Sequence, residues 1–109
     1  MVGLTVDFSN LRFAGERLAE VIPAVAARTF HAHVKNGRIR PGGSWHFGPL
    51  DEGLTDYAEV LALLRQVGYD GYLSIECLGA DARRDPPRTV RRDLDILKRL
   101  GREAGVEIA

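Results

Sequence analysis

Covalent cross-links are out of reach for this chain. Cys77 is its only cysteine, which excludes an internal disulfide framework and fits a reducing compartment. Net charge is equally scarce: fifteen basic residues balance fifteen acidic ones, so there is no general attraction to nucleic acid or to an anionic membrane. No apolar run approaches the length of a membrane span, and no charged segment followed by a signal-type hydrophobic core opens the sequence. A cytoplasmic location is the expectation. Length is limiting too. The 109 residues suffice for one domain, 1–109, with a real core, but fall short of the roughly 250 residues that close a (β/α)8 barrel. What is present, 45% hydrophobic and 28% charged residues, belongs to an ordered globular chain.

The most informative stretch is Thr29-Phe30-His31-Ala32-His33-Val34-Lys35-Asn36. A period of two places Phe30, Ala32 and Val34 on one side of a strand Thr29–Lys35, and Thr29, His31, His33 and Lys35 on the other. Buried parallel strands are normally apolar on both faces, so a polar row needs a reason. An edge strand wetting one face is the plain alternative. Val2–Phe8 reads as an earlier strand, with Val2, Leu4, Val6 and Phe8 opposite Gly3, Thr5 and Asp7. Tyr72–Cys77 reads as a later one, with Leu73, Ile75 and Cys77 opposite Tyr72, Ser74 and Glu76.

Between them lie helical stripes. Gly15–Arg28 carries Leu18, Val21, Ile22, Val25 and Ala26, with a kink or a split expected at Pro23. Thr55 is placed to cap a helix over Asp56–Val67, with Tyr57, Val60, Leu61, Leu64 and Val67 inward and Gly68 as its stop. Arg88–Ala104 turns Val90, Leu94, Leu97 and Leu100 inward. Its Arg91, Arg92, Lys98, Arg99 and Arg102 alternate with Asp93, Asp95 and Glu103, which is a solvated face rather than a nucleic-acid patch. Ser9–Phe13, the stretch from Asn36 to Leu54, and the segment holding Arg83, Arg84, Pro86 and Pro87 read as loops. The order β-α-β-α-β-α suits right-handed parallel crossovers in an α/β fold.

Each strand thus ends in a potential ligand on its polar face: Asp7, His33 and Glu76. Parallel strands bring their C-terminal ends to one level, where α/β folds carry their sites. Two carboxylates and an imidazole there suit a divalent ion such as Mn, Mg, Co or Zn. Taken singly, each has an ordinary structural alternative, a helix N-cap or salt-bridge partner for the acids and a hydrogen-bonded interior residue for His33. A shared rule of placement favours the metal.

Val6-Asp7-Phe8-Ser9-Asn10, His31 to Gly37, Trp45 to Tyr57, and Gly68 to Glu76 together resemble the C-terminal part of the xylose isomerase-like TIM barrels. This superfamily includes sugar phosphate isomerases and epimerases, inosose dehydratases and endonuclease IV. The resemblance covers nearly the whole chain, at about the last three βα units, and implies a partial (β/α)8 barrel. It also implies a metal held by an aspartate, a histidine and two glutamates. Asp7, His33 and Glu76 match three of these, and the other glutamate belongs to an earlier strand that this chain lacks. Its epimerases use both glutamates as an acid–base pair about a sugar carbon, with the metal stabilising an enediolate. Glu76 would be one of that pair. Where many members carry a histidine three residues after the aspartate, this chain has Asn10, which can bond a hydroxyl but cannot carry a proton at neutral pH. The endonuclease branch adds an Asp-x-His pair. Here the nearest match is Ser44-Trp45-His46, without the aspartate, on a chain that is not basic.

The expected site therefore has Asp7, His33 and Glu76 on the ion and Glu76 exchanging the proton. Asn10, His31, Lys35, Arg38, Trp45 and His46 contact a sugar or sugar phosphate. Arg38 and Arg40 either contact a substrate anion or belong to a solvated loop. Three strands cannot close a barrel, and the outer two expose unpaired edges. A fragment of a longer protein, a truncated product, or subunits that associate would each resolve this. A homo-oligomer, in the first instance a dimer, is the expectation. The alternative function is a non-catalytic remnant that oligomerises.

Overall fold

A computed structural model describes residues 2–109; Met1, included in the expected domain, lies outside the described residues. The elements run β1 (Leu4–Asp7), α1 (Phe8–Phe13), α2 (Leu18–Val25), a 3-10 turn (Ala26–Arg28), β2 (Thr29–Val34), β3 (Asn36–Ile39), β4 (Trp45–Gly48), α3 (Tyr57–Gln66), β5 (Tyr72–Ile75), α4 (Ala80–Arg84) and α5 (Pro86–Ala104). β1, β2 and β5 form a parallel sheet with β2 in the middle. Both outer strands are edges, as the sequence implies. One face of the sheet is apolar: Val6, Ala32 and Val34 pack with Phe8 of α1, Leu18 and Ile22 of α2, Val60, Leu61 and Leu64 of α3, and Leu97 and Leu100 of α5. Burying these side chains supplies the main driving force for the fold.

Register decides which polar groups meet. Asp7 lies beside His33, and His33 beside Ser74. Lys35 and Glu76 follow two residues further along their strands, so they share that face one rung higher. The Glu76 amide donates to the Val34 carbonyl at 2.9 Å, which carries the pairing beyond the end of β5.

Four expected loops or boundaries differ in the structure. Ser9–Phe13 is not a loop but most of α1, because the Asp7 carboxylate accepts the Asn10 amide at 2.9 Å and caps a helix there. Asn36–Leu54 contains an antiparallel hairpin, with Arg38 opposite His46 and Ile39 opposite Trp45. Gly42 and Gly43 turn it with φ of 96° and 88°, which non-glycine residues rarely adopt. The helix expected at Arg88 starts at Pro86, where proline's fixed φ and missing donor are harmless. The segment around Arg83 and Arg84 is helical as α4.

Smaller differences follow from packing. Thr55 is buried rather than capping; Asp56 caps α3 by accepting the Glu59 amide. Gly68 does end α3, at φ 70°. The split expected at Pro23 does not fall there: Pro23 lies inside α2, which runs on to Val25 before passing into the 3-10 turn. On α5 the inward stripe is Thr89, Asp93, Leu97 and Leu100, so Val90 faces out and Asp93 is buried. Burial pushes the Asp93 carboxyl up despite the opposing Arg92 guanidinium. On β2, Phe30 remains half exposed, lying over Gly3, where any Cβ would strike its ring.

Candidate metal centre

The C-terminal ends of β1, β2 and β5 gather Asp7, His33 and Glu76 so that one ligand atom of each lies within 4.8 Å of the others. His33 Nδ1 stands 4.0 Å from Glu76 Oε2. Two donors on one ion, each about 2.1 Å away, can be no more than about 4.2 Å apart. The donor set has the right chemistry for a divalent ion, and a pair at the full 4.8 Å would have to close by at least about 0.6 Å.

Lys35 stands in the middle of this group. Its Nζ donates to Asp7 Oδ2 at 2.8 Å and to Glu76 Oε2 at 3.0 Å. The Lys35 side chain is only 9% exposed, against 37% for that of Glu76. Burial opposes its charge, but the hydrogen bonds and charges of Asp7 and Glu76 prevail and push Lys35 up from the ordinary lysine value. The two carboxylates thus share one ammonium, and Asp7 also spends Oδ1 as the α1 cap.

The backbone of Lys35 is pinned from below by buried hydroxyls. The Tyr57 OH accepts the Lys35 amide at 2.9 Å and donates to the Lys35 carbonyl. Ser9 Oγ donates to the same carbonyl and pairs with Thr55 Oγ1 at 2.8 Å. Burial pushes the Tyr57 phenol up to about 12. Next door, Asn36 Nδ2 donates to the Leu50 and Thr55 carbonyls at 2.8 Å each, while its Oδ1 accepts the Gly37 and Thr55 amides. Every buried side-chain polar atom among the described residues has a partner, as buried polar groups require.

Ser9, Asn36, Thr55 and Tyr57 were not legible as site residues. Tyr57 reads as one member of an apolar stripe, Thr55 as a cap, Ser9 and Asn36 as loop. The central place of Lys35 had a usable signal, since the alternation that aims His33 also aims the residue two positions later.

The remaining expected contacts divide between two places. His31 bonds Ser74 through Nε2 and sets its ring edge-on to His33, centroids 5.3 Å apart. Trp45 packs with Phe13 and Phe47, and its ring centroid is 6.0 Å from Lys35 Nζ, so it walls the group. Strand alternation turns Arg38 and His46 to the other face of the hairpin, where they line a separate cleft with Glu52 and Asp81. Arg40 Nη2 meets His46 Nδ1 there at 2.6 Å. Asn10 is exposed on α1, tied to Asp7 only through its backbone amide.

Consecutive parallel βα units with acid, imidazole and ammonium at the C-terminal strand ends define a barrel-type α/β site. A family model described as xylose isomerase-like TIM barrel matches residues 1–100. The chain belongs to that family, and its sheet and helices are a partial TIM barrel. The crystal structure of a xylose isomerase domain protein from Planctomyces limnophilus is similar, with TM-score 0.76 and 24% identity over 94% of this chain and 39% of that one. A D-tagatose 3-epimerase-like protein is similar with TM-score 0.59 and 24% identity, over 89% of this chain and 36% of that one. This chain therefore spans under two fifths of the length of those structures. No curated protein matches it. Among the described residues no helix is long and apolar enough to cross a membrane.

Proposed function

We propose that this chain carries the metal- and proton-handling half of a sugar isomerase or epimerase site. The supporting observation is the convergence of Asp7, His33, Lys35 and Glu76 at the C-terminal rim of one sheet. Asp7, His33 and Glu76 would hold a divalent ion, whose chemistry is to polarise a substrate carbonyl. Glu76, the more exposed of the two carboxylates, is the base that takes a proton from the carbon next to that carbonyl. Lys35 keeps a positive charge at the same rim, which favours a substrate oxygen gaining negative charge. Trp45 supplies a flat apolar wall for a sugar ring. His31, held by Ser74, fixes the side of His33 that faces the group.

The substrates this reading favours are small sugars or sugar phosphates, and the family of the chain is its support. Self-association, with a dimer first, is part of the proposal because β1 and β5 leave unpaired edges. A lone base has a distinctive consequence. With no second acid–base group opposite Glu76 among the described residues, proton abstraction leads to exchange with solvent rather than to inversion. Incubation with Mn2+ and a panel of ketoses and ketose phosphates in D2O, followed by proton NMR, is the test. Deuterium entering next to the carbonyl, and lost in Glu76→Gln, is the expected result. No exchange with any member of the panel would point to the non-catalytic alternative.

A further inference from the structure

The same two oxygens that a divalent ion would take, Asp7 Oδ2 and Glu76 Oε2, are the ones Lys35 Nζ already occupies, at 2.8 and 3.0 Å. An ammonium donates to oxygens about 2.8 Å away, whereas a divalent transition metal draws them to about 2.1 Å. The present spread of the ligand atoms, within 4.8 Å, suits the longer contacts. Charge points the same way. Asp7 and Glu76 carry two negative charges and Lys35 returns one, so an incoming divalent ion meets one net negative charge and a positive neighbour. The Lys35 backbone cannot retreat, because Tyr57 holds its amide and both Tyr57 and Ser9 hold its carbonyl. Only the side chain is free to swing.

We infer that Lys35 is a built-in competitor for the metal: its ammonium fills the centre when no ion is bound and must swing away from Asp7 and Glu76 when one enters. The inference rests on Asp7, His33 and Glu76 being the ligands. It assigns Lys35 a use that substrate contact alone would not, that of keeping the two carboxylates together and compensated while setting a threshold of divalent ion for loading.

Calorimetric titration of the full chain with MnCl2 tests it, with wild type, Lys35→Met and Lys35→Arg compared. Lys35→Met keeps the length of the stem and removes the charge. It is expected to bind Mn2+ about tenfold tighter or more, through loss of a neighbouring like charge. Lys35→Arg keeps a cation and is expected to bind no tighter than wild type. Equal or weaker binding by Lys35→Met, with wild type still binding, overturns the competition and leaves the ligand assignment standing. No binding by wild type or variant overturns both.

A second measurement needs no variant. Lys35 and Lys98 are the only lysines, so acetylation by an amine-reactive ester, read by mass spectrometry, gives Lys98 as an internal reference. Mn2+ is expected to raise modification of Lys35 relative to Lys98. A ratio unchanged at saturating Mn2+ contradicts the release of Lys35.

Discussion

The two ends of the parallel sheet are built by opposite rules. At the C-terminal rim, Asp7, His33, Lys35 and Glu76 are polar and mostly enclosed, and Lys35 is bonded to both acids. At the N-terminal end, Val2, Leu4, Phe30 and Tyr72 are apolar or aromatic and stand exposed, Tyr72 by 79%. The rim's charged groups are held by residues of β1, α1, β2, β5 and the start of α3. The other end presents apolar side chains that the sheet's own helices do not cover. Hydrogen bonds between separate segments hold the rim together, while the partial barrel leaves its outer strands without neighbours.

The contrast predicts where substitutions will hurt. Lys35→Ala, at the rim, leaves two carboxylates facing each other without their ammonium. A loss of about 2–4 kcal/mol is expected in denaturant unfolding, at or below the range for a fully buried pair because Glu76 is partly hydrated. Alkali should weaken the same contact in the wild type. Lys35 is raised in the folded chain, so its stabilisation is fully present below the unfolded value near 10.5 and is lost as pH rises through the higher folded value. Tyr57, pushed up to about 12, loses its contribution over the same rise. Unfolding followed above about pH 10.5 should therefore be shallower in Lys35→Ala than in wild type, without becoming flat.

Tyr57→Phe sharpens the comparison by one step. It removes the hydroxyl that serves both the amide and the carbonyl of Lys35. Ser9 still serves the carbonyl, so the orphaned amide sets the cost, about 1–3 kcal/mol by thermal or chemical unfolding. At the opposite end, Tyr72→Lys should change unfolding by no more than about 0.5 kcal/mol. Its expected effect is on association: sedimentation should show less self-association, since a charge on an edge strand opposes strand-to-strand pairing. A large stability loss in Tyr72→Lys, or none in Lys35→Ala, would reverse the contrast.

How much of this could be read from the sequence follows from the same physics. Strand alternation places Asp7, His33 and Glu76 on one face, because a period of two is insensitive to small errors in strand boundaries. The apolar stripes of α2 and α3 were readable for a similar reason. The hairpin was not. Its Gly, Pro and Arg content resembles loop, although Trp45-His46-Phe47 beyond the turn Arg40–Ser44 carries alternation that a shorter window would pick up. Asp7 takes both of its ordinary structural roles at once, since one oxygen caps α1 and the other pairs with Lys35. The buried hydroxyl group of Ser9, Thr55 and Tyr57 had no local signal. Its members come from separate segments, and only tertiary packing brings them to the Lys35 peptide.

His33 is the group on which the account can be tested most directly, because it belongs to the proposed ligand set yet shares no ion pair with Lys35. Titrating Mn2+ into wild type and His33→Ala, with free ion counted by electron paramagnetic resonance, is the measurement. The account predicts one Mn2+ held per wild-type chain and a marked loss of affinity in a folded His33→Ala. Mn2+ held equally well by both proteins would place the ion elsewhere and contradict it.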